Sequence, residues 1–214
     1  MSETGTTSLW WIRRDLRLMD NAALSAAAAR GPVIPVFVHD ERSEALGAAP
    51  LWRLEQSLRA LAADLEARGL RLVLRRGDAL EVLRALVAET GAGAVHWGRL
   101  YDPASRRIDA SVKAALRDEG VTAESHAGLL LHEPMTVKTK LGDYYKVFSP
   151  FWRAIEPLGV APPLPVPERL PAPTTSRATT HSGWIPPTAS IANSLSSLLK
   201  SGVSFSRHVA LAVL

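Results

Sequence analysis

Short apolar runs that alternate with amphipathic stretches along residues 8–126 predict an α/β fold, a five-stranded parallel sheet doubly wound with helices on both faces. Two further features point the same way. The apolar runs show little polar alternation, as strands buried on both faces require. A glycine stands behind each helical stretch, at Gly31, Gly69, Gly91 and Gly120, where it can end a helix without Cβ strain.

The elements follow in order. Leu9–Ile12 is the first strand and ends in charge. Asp20 is placed to cap an Ala-rich helix that Gly31 closes. Val33–Val38 is the second strand. Leu51, Leu54, Leu58, Leu61 and Leu65 recur at helical spacing with charge between them, an amphipathic helix closed by Gly69. Leu70–Leu74 is the third strand. Gly77–Asp78 turns the chain and caps a helix through Leu80, Leu83 and Val87. Ala94–Trp97 is the fourth strand. Pro103 opens a helix lined by Ile108, Val112, Ala115 and Leu116, and Val121–Ser125 is the fifth strand. The pattern is Rossmann-like, with right-handed crossovers expected.

Beyond the α/β region, seven of the seventeen residues 157–173 are proline, which predicts an extended linker and not a packed element. Residues 174–214 hold nine Ser, five Thr and no acid. They read as an unstructured, non-native tail, or as a stretch translated out of frame. The expected organisation is therefore an α/β domain over 8–156, a linker over 157–173 and a tail over 174–214.

The 214 residues, 47% hydrophobic, suffice for an ordinary core. No cysteine is present, which excludes disulfides and thiolate metal sites. No apolar run approaches a membrane span and no secretory signal opens the chain, so a cytoplasmic location without membrane partners is expected. The net charge of +4 comes entirely from residues 169–214; residues 1–168 balance 21 basic against 21 acidic groups. Composition therefore gives no support for a basic body that grips phosphates.

Ligands in such sheets bind outside the carboxyl ends of the strands, at the switch in strand order. That rule selects the loops 13–20, 39–50 and 98–103. Arg13, Arg14 and Asp15, with Arg17, follow the first strand. Their cations are placed to meet phosphate or ribityl oxygens, or Asp15 pairs with an arginine and simply pins the loop. His39 and Asp40 end the second strand, as a proton relay or as a turn with a local cap; no third ligand for a metal is visible. Arg99 opens the third loop. No G-x-G-x-x-G, P-loop, G-x-S-x-G or H-E-x-x-H occurs, and no nucleophile stands with a base. Tyr144–Arg153 is dense in aromatics. It suits either nucleic-acid stacking or a hydrophobic anchor, and Val147, Phe148, Pro150, Phe151 and Trp152 read as core.

Two stretches carry a family resemblance. Trp11-Ile12-Arg13-Arg14-Asp15-Leu16-Arg17-Leu18 followed by Asp20-Asn21 resembles the opening strand and loop of the DNA photolyase and cryptochrome family. Leu131-His132-Glu133-Pro134, then Lys138-Thr139-Lys140 and Gly142, then Tyr145–Trp152, resembles the close of that family's N-terminal α/β domain, and Trp97–Asp109 resembles the stretch between. The resemblance covers about residues 8–157. It implies an α/β domain that holds a light-harvesting antenna chromophore, a flavin, a deazaflavin or a folate. Arg13, Arg14, Asp15, His39, Asp40 and Arg99 would line its crevice. It implies a following helical domain that binds FAD and splits cyclobutane pyrimidine dimers in DNA, or a cryptochrome-like photoreceptor. Ala104–Ser105 stand where folate-binding members carry Asn-Glu, so the chromophore stays open. After Pro173 nothing resembles the family. The chain is therefore expected to be the N-terminal portion of a photolyase that lacks the FAD domain and is inactive in repair alone; the alternatives are a stand-alone chromophore-binding or nucleotide-binding module and a truncated, non-functional product. The surface that would face the missing domain is expected to be bare and to promote self-association.

Overall fold

The computed structural model describes residues 5–40 and 46–173. The expected tail, 174–214, lies outside them.

Five parallel strands, β1 (Ser8–Ile12), β2 (Val33–His39), β3 (Val73–Arg76), β4 (Ala94–Gly98) and β5 (Thr122–His126), form one sheet in the order β3-β2-β1-β4-β5. The helices are α1 (Ala22–Arg30), α2 (Ala48–Glu66), α3 (Ala79–Thr90), α4 (Pro103–Asp118) and α5 (Phe148–Ile155). Strand order reverses between β1 and β4, which are direct neighbours with Trp11 opposite Trp97. The doubly wound α/β architecture is as the sequence predicts.

Side chains alternate across the sheet, so each face has its own core. Leu9, Trp11, Val36, Val95 and Trp97 pack under α3 and α4 through Leu83, Leu86, Val112 and Leu116. Trp10, Ile12 and Phe37 pack under α1 and α2 through Leu24, Leu58, Leu61 and Leu65. The leucine stripe of α2 therefore meets the sheet as its spacing requires.

Four local expectations are corrected. The cap of α1 is Asn21, whose side-chain oxygen accepts from Leu24 N at 3.0 Å, and not Asp20. The Asn21 amide also donates to the Arg17 carbonyl and to Asp15, a dual role that a carboxylate cannot fill. Asp20 instead takes a left-handed φ of 52°. The third strand begins at Val73, not Leu70, and runs through Arg75 and Arg76. It is an edge strand, so backbone pairing with β2 defines it where apolar character does not. Leu70 and Leu72 are buried in the approach to it.

The aromatic segment does not enter the core. None of α5 is buried; Phe148 is 70% exposed and Trp152 47%, with their rings stacked at 6.0 Å. Both sheet faces are already covered by the other four helices, which leaves α5 on the surface. The proline-rich stretch, by contrast, is extended yet docked. Leu170 is buried and Val166 packs in the α1–α2 core. Val33 N donates to Pro171 O at 2.9 Å, and Asp20 N to Leu164 O at 2.8 Å. It is a strap along the sheet and not a free linker.

Candidate functional site

The carboxyl ends of β1 and β2 open onto a crevice of about 340 Å³, a volume within the usual range for small-molecule sites. Its walls are mainly apolar, from Trp11, Phe37, Leu54 and Leu100, while Arg13, Arg14, Asp40 and Arg53 supply charge. β1 delivers Arg13 and Arg14, β2 delivers Asp40, and the first turns of α2 deliver Arg53. Of the second predicted loop, residues 41–45 lie outside the described ones.

Arg13 is the organising side chain. Its Nη1 and Nη2 donate to the two carboxylate oxygens of Asp109 on α4 at 2.8 and 3.2 Å, and Nη2 also donates to the Gly98 carbonyl at 2.6 Å. Both side chains are about nine-tenths buried, at 10% and 9% exposure. The guanidinium lies 4.6 Å from the Trp11 ring centroid. This fork ties the end of β1 to β4 and α4 across the switch point. Its Nε is buried without a hydrogen-bond partner. Arg14 and Arg53 are exposed on the rim, and neither makes a hydrogen bond or ion pair to another described residue.

Asp15 lies outside the crevice lining. Its carboxylate accepts from Arg13 N and from Asn21 Nδ2, both at 3.3 Å, and packs on Gly98, where a Cβ would come within 2.6 Å of Oδ2. Burial raises its pKa above the ordinary carboxylate value, against backbone hydrogen bonds and Arg13 that lower it. Asp15 thus holds the loop through hydrogen bonds and not through an ion pair. Arg99 is also outside the crevice. It donates to Glu133 at 2.6 Å and to Ser125, and Tyr101 donates a short hydrogen bond to the same Glu133. Burial, then Glu133, pushes the Tyr101 pKa up to about 12. Glu133, in the Leu131–Pro134 motif, thus clamps the loop after β4. His39 ends β2 with its carbonyl accepting from Gly77 N. The structure therefore brings Arg13, Arg14 and Asp40 to one crevice, and leaves Asp15, His39 and Arg99 outside its lining.

Sequence reasoning missed Asp109, Arg53 and Glu133, because the strand order that brings them together is not legible from spacing. It also missed His96 on β4 and His126 on β5. His96 Nδ1 lies 3.0 Å from His126 Nε2 and 3.8 Å from Glu124 Oε2. Burial, then the neighbouring His126, lowers the His96 pKa to about 4; burial likewise lowers that of His126.

The DNA photolyase family model matches residues 8–171, from the first strand through the docked strap. The chain belongs to the DNA photolyase family. Its α/β region is the N-terminal domain of that family, homologous to photolyases and cryptochromes. The chain is similar to a deoxyribodipyrimidine photo-lyase of Agrobacterium fabrum, 51% identical over 147 residues, which cover 68% of this chain and 31% of the relative. A bacterial class III photolyase from Agrobacterium tumefaciens superposes with a TM-score of 0.77 at 46% identity, covering 82% of this chain and 37% of that one. An archaeal photolyase from Sulfolobus tokodaii, solved with two FAD molecules and described as implying a novel light-harvesting cofactor, gives 0.64 at 25% identity over 74% of this chain and 37% of its own. The chain spans about a third of the length of these relatives. Among its described residues no helix is long and apolar enough to cross a membrane.

Proposed function

We propose that the α/β domain over 8–156 is an antenna module, and that its crevice holds a light-harvesting chromophore of the flavin, deazaflavin or folate class. The observation that carries this reading is the crevice itself. It lies at the carboxyl ends of β1 and β2, beside the switch point, its walls are apolar enough to take a ring system, and three arginines are among its lining residues. The unpartnered Nε of Arg13 is a donor that a polar ligand group would satisfy. Arg14 and Arg53 are free to meet phosphate or carboxylate oxygens. The archaeal photolyase, in which a light-harvesting cofactor is implied, gives independent support.

On this reading Arg13 is fixed by Asp109 and presents one edge to the ligand, Arg14 and Arg53 supply mobile charge, and Trp11 and Phe37 line the ring pocket. The bound chromophore would absorb near-ultraviolet or blue light. Dimer splitting in DNA belongs to the helical FAD-binding domain that follows in full-length photolyases, so the α/β domain alone is inactive in repair. The bare rings of Phe148 and Trp152 support a surface that promotes self-association.

Titration of the purified protein with FMN, a deazaflavin or a methenylfolate, followed by ligand fluorescence, tests the reading. One of the three is expected to bind saturably, and Arg14→Glu with Arg53→Glu to weaken it at least tenfold. Absence of saturable binding by all three overturns it.

A further inference from the structure

His96, Glu124 and His126 form a cluster remote from the crevice lining and unused by the antenna reading. His96 and Glu124 are register partners on β4 and β5, and His126 is two residues further along the same face of β5. The sheet thereby aims three ligating side chains at one point. Their ligand atoms, one nitrogen from each imidazole and one carboxylate oxygen, all lie within 4.8 Å of one another.

The distances suit a tetrahedral ion. Zinc–nitrogen and zinc–oxygen bonds of about 2.0–2.2 Å at tetrahedral angles place ligand atoms roughly 3.3 Å apart. The observed separations of 3.0 and 3.8 Å bracket that value. The two imidazole nitrogens face each other directly, so in the metal-free protein one must carry the hydrogen that bridges them. Among the described residues no lysine or arginine forms an ion pair with Glu124, although Lys113 is near enough to attract it. The carboxylate is therefore available to offset cation charge.

We propose that His96 Nδ1, His126 Nε2 and a Glu124 carboxylate oxygen bind a divalent zinc-class ion, with water in the fourth position. The two-imidazole, one-carboxylate set is a donor combination that zinc accepts. Binding displaces the bridging hydrogen to water, and the ring that carried it takes a proton from water on its other nitrogen; this change of tautomer leaves both imidazoles neutral and releases no net proton. His96 lies beneath α1 with almost no exposure, whereas Glu124 is half exposed. The ion therefore enters from the solvent side and staples the edge strand β5 to β4.

The test uses untagged protein stripped with a chelator and titrated with cobalt(II), a spectroscopic stand-in for zinc. One equivalent is expected to develop the visible d–d absorption of a tetrahedral site, and zinc to abolish it by displacement. His126→Ala and Glu124→Gln are each expected to weaken binding at least tenfold. Both positions are solvent-accessible, so these variants keep the fold. His132→Ala is expected to bind as wild type. Zinc should raise the thermal midpoint of wild type and not that of His126→Ala. No cobalt band, or binding undiminished in His126→Ala, overturns the proposal.

Discussion

Removing Asp109 probes the fork that organises the switch point. The Asp109→Ala variant leaves Arg13 with the Gly98 carbonyl and the Trp11 ring, but without the carboxylate hydrogen-bonded to its guanidinium. Breaking one side of a buried ion pair costs roughly 3–5 kcal/mol, because the remaining charge stays desolvated. Arg13 keeps a strong carbonyl contact and borders an open crevice, so the lower end, about 3 kcal/mol, is expected. For a domain of this size that corresponds to a drop in thermal midpoint of roughly 6–12 °C. Asp109→Asn retains one acceptor and should lose about half as much. The double variant Arg13→Leu with Asp109→Leu removes both charges and should recover most of the loss, since an apolar pair often replaces a buried ion pair without penalty. Denaturant melts of the four proteins form the assay. An Asp109→Ala variant within about 1 kcal/mol of wild type, outside the range for a broken buried pair, would refute the reasoning.

Three other outcomes follow from the same structure. Gly98→Ala should displace the Asp15 carboxylate, loosen the loop after β1 and destabilise the domain by about 1–3 kcal/mol, as overpacking does; an unchanged melt would show that Asp15 has room to move. In metal-free protein the unfolded chain protonates His96 near its ordinary pKa of 6.5, while the folded chain does so only near 4. Stability is therefore complete above pH 6.5 and falls as pH drops towards 4, by on the order of 3 kcal/mol; Asp15 acts with the opposite sign, and the acid limb should flatten in His96→Asn if His96 is responsible. Leu170→Ala should cost about 2 kcal/mol by leaving a gap in the α1–α2 core, whereas a truly free linker would show no change in midpoint.

Much of the fold was legible because its signals are local. The leucines from Leu51 to Leu65 specify a helix by spacing alone, and Asp78 and Pro103 start α3 and α4 where their side-chain chemistry says they should. The misses occur where tertiary placement outweighs local character. Arg75 and Arg76 sit in β3 because an edge strand needs pairing more than burial. Phe148 and Trp152 stay outside because no sheet face is left for them. The same division runs through the site. Arg13, Arg14 and Asp40 line the crevice at the strand ends to which the fold class directs attention. Arg99 sits at a strand end too, but its partners Ser125 and Glu133 turn it elsewhere. Asp109 is 96 residues from Arg13, and only the adjacency of β1 and β4 makes it a neighbour.

The strap also sets a route. Leu164 bonds to Asp20 in the loop above the carboxyl ends of the strands, and Pro171 bonds to Val33 at the amino end of β2. The chain thus descends the whole height of the sheet before residue 173. The five residues of β1 and seven of β2, at about 3.3 Å per residue, make that height roughly 20 Å. A fluorophore placed at Pro173 would therefore sit on the pole opposite the crevice, close enough for energy transfer to the chromophore proposed for it and too far to block the crevice mouth. The strap thereby fixes two points of the chain, Arg13 and Pro173, at opposite ends of the sheet.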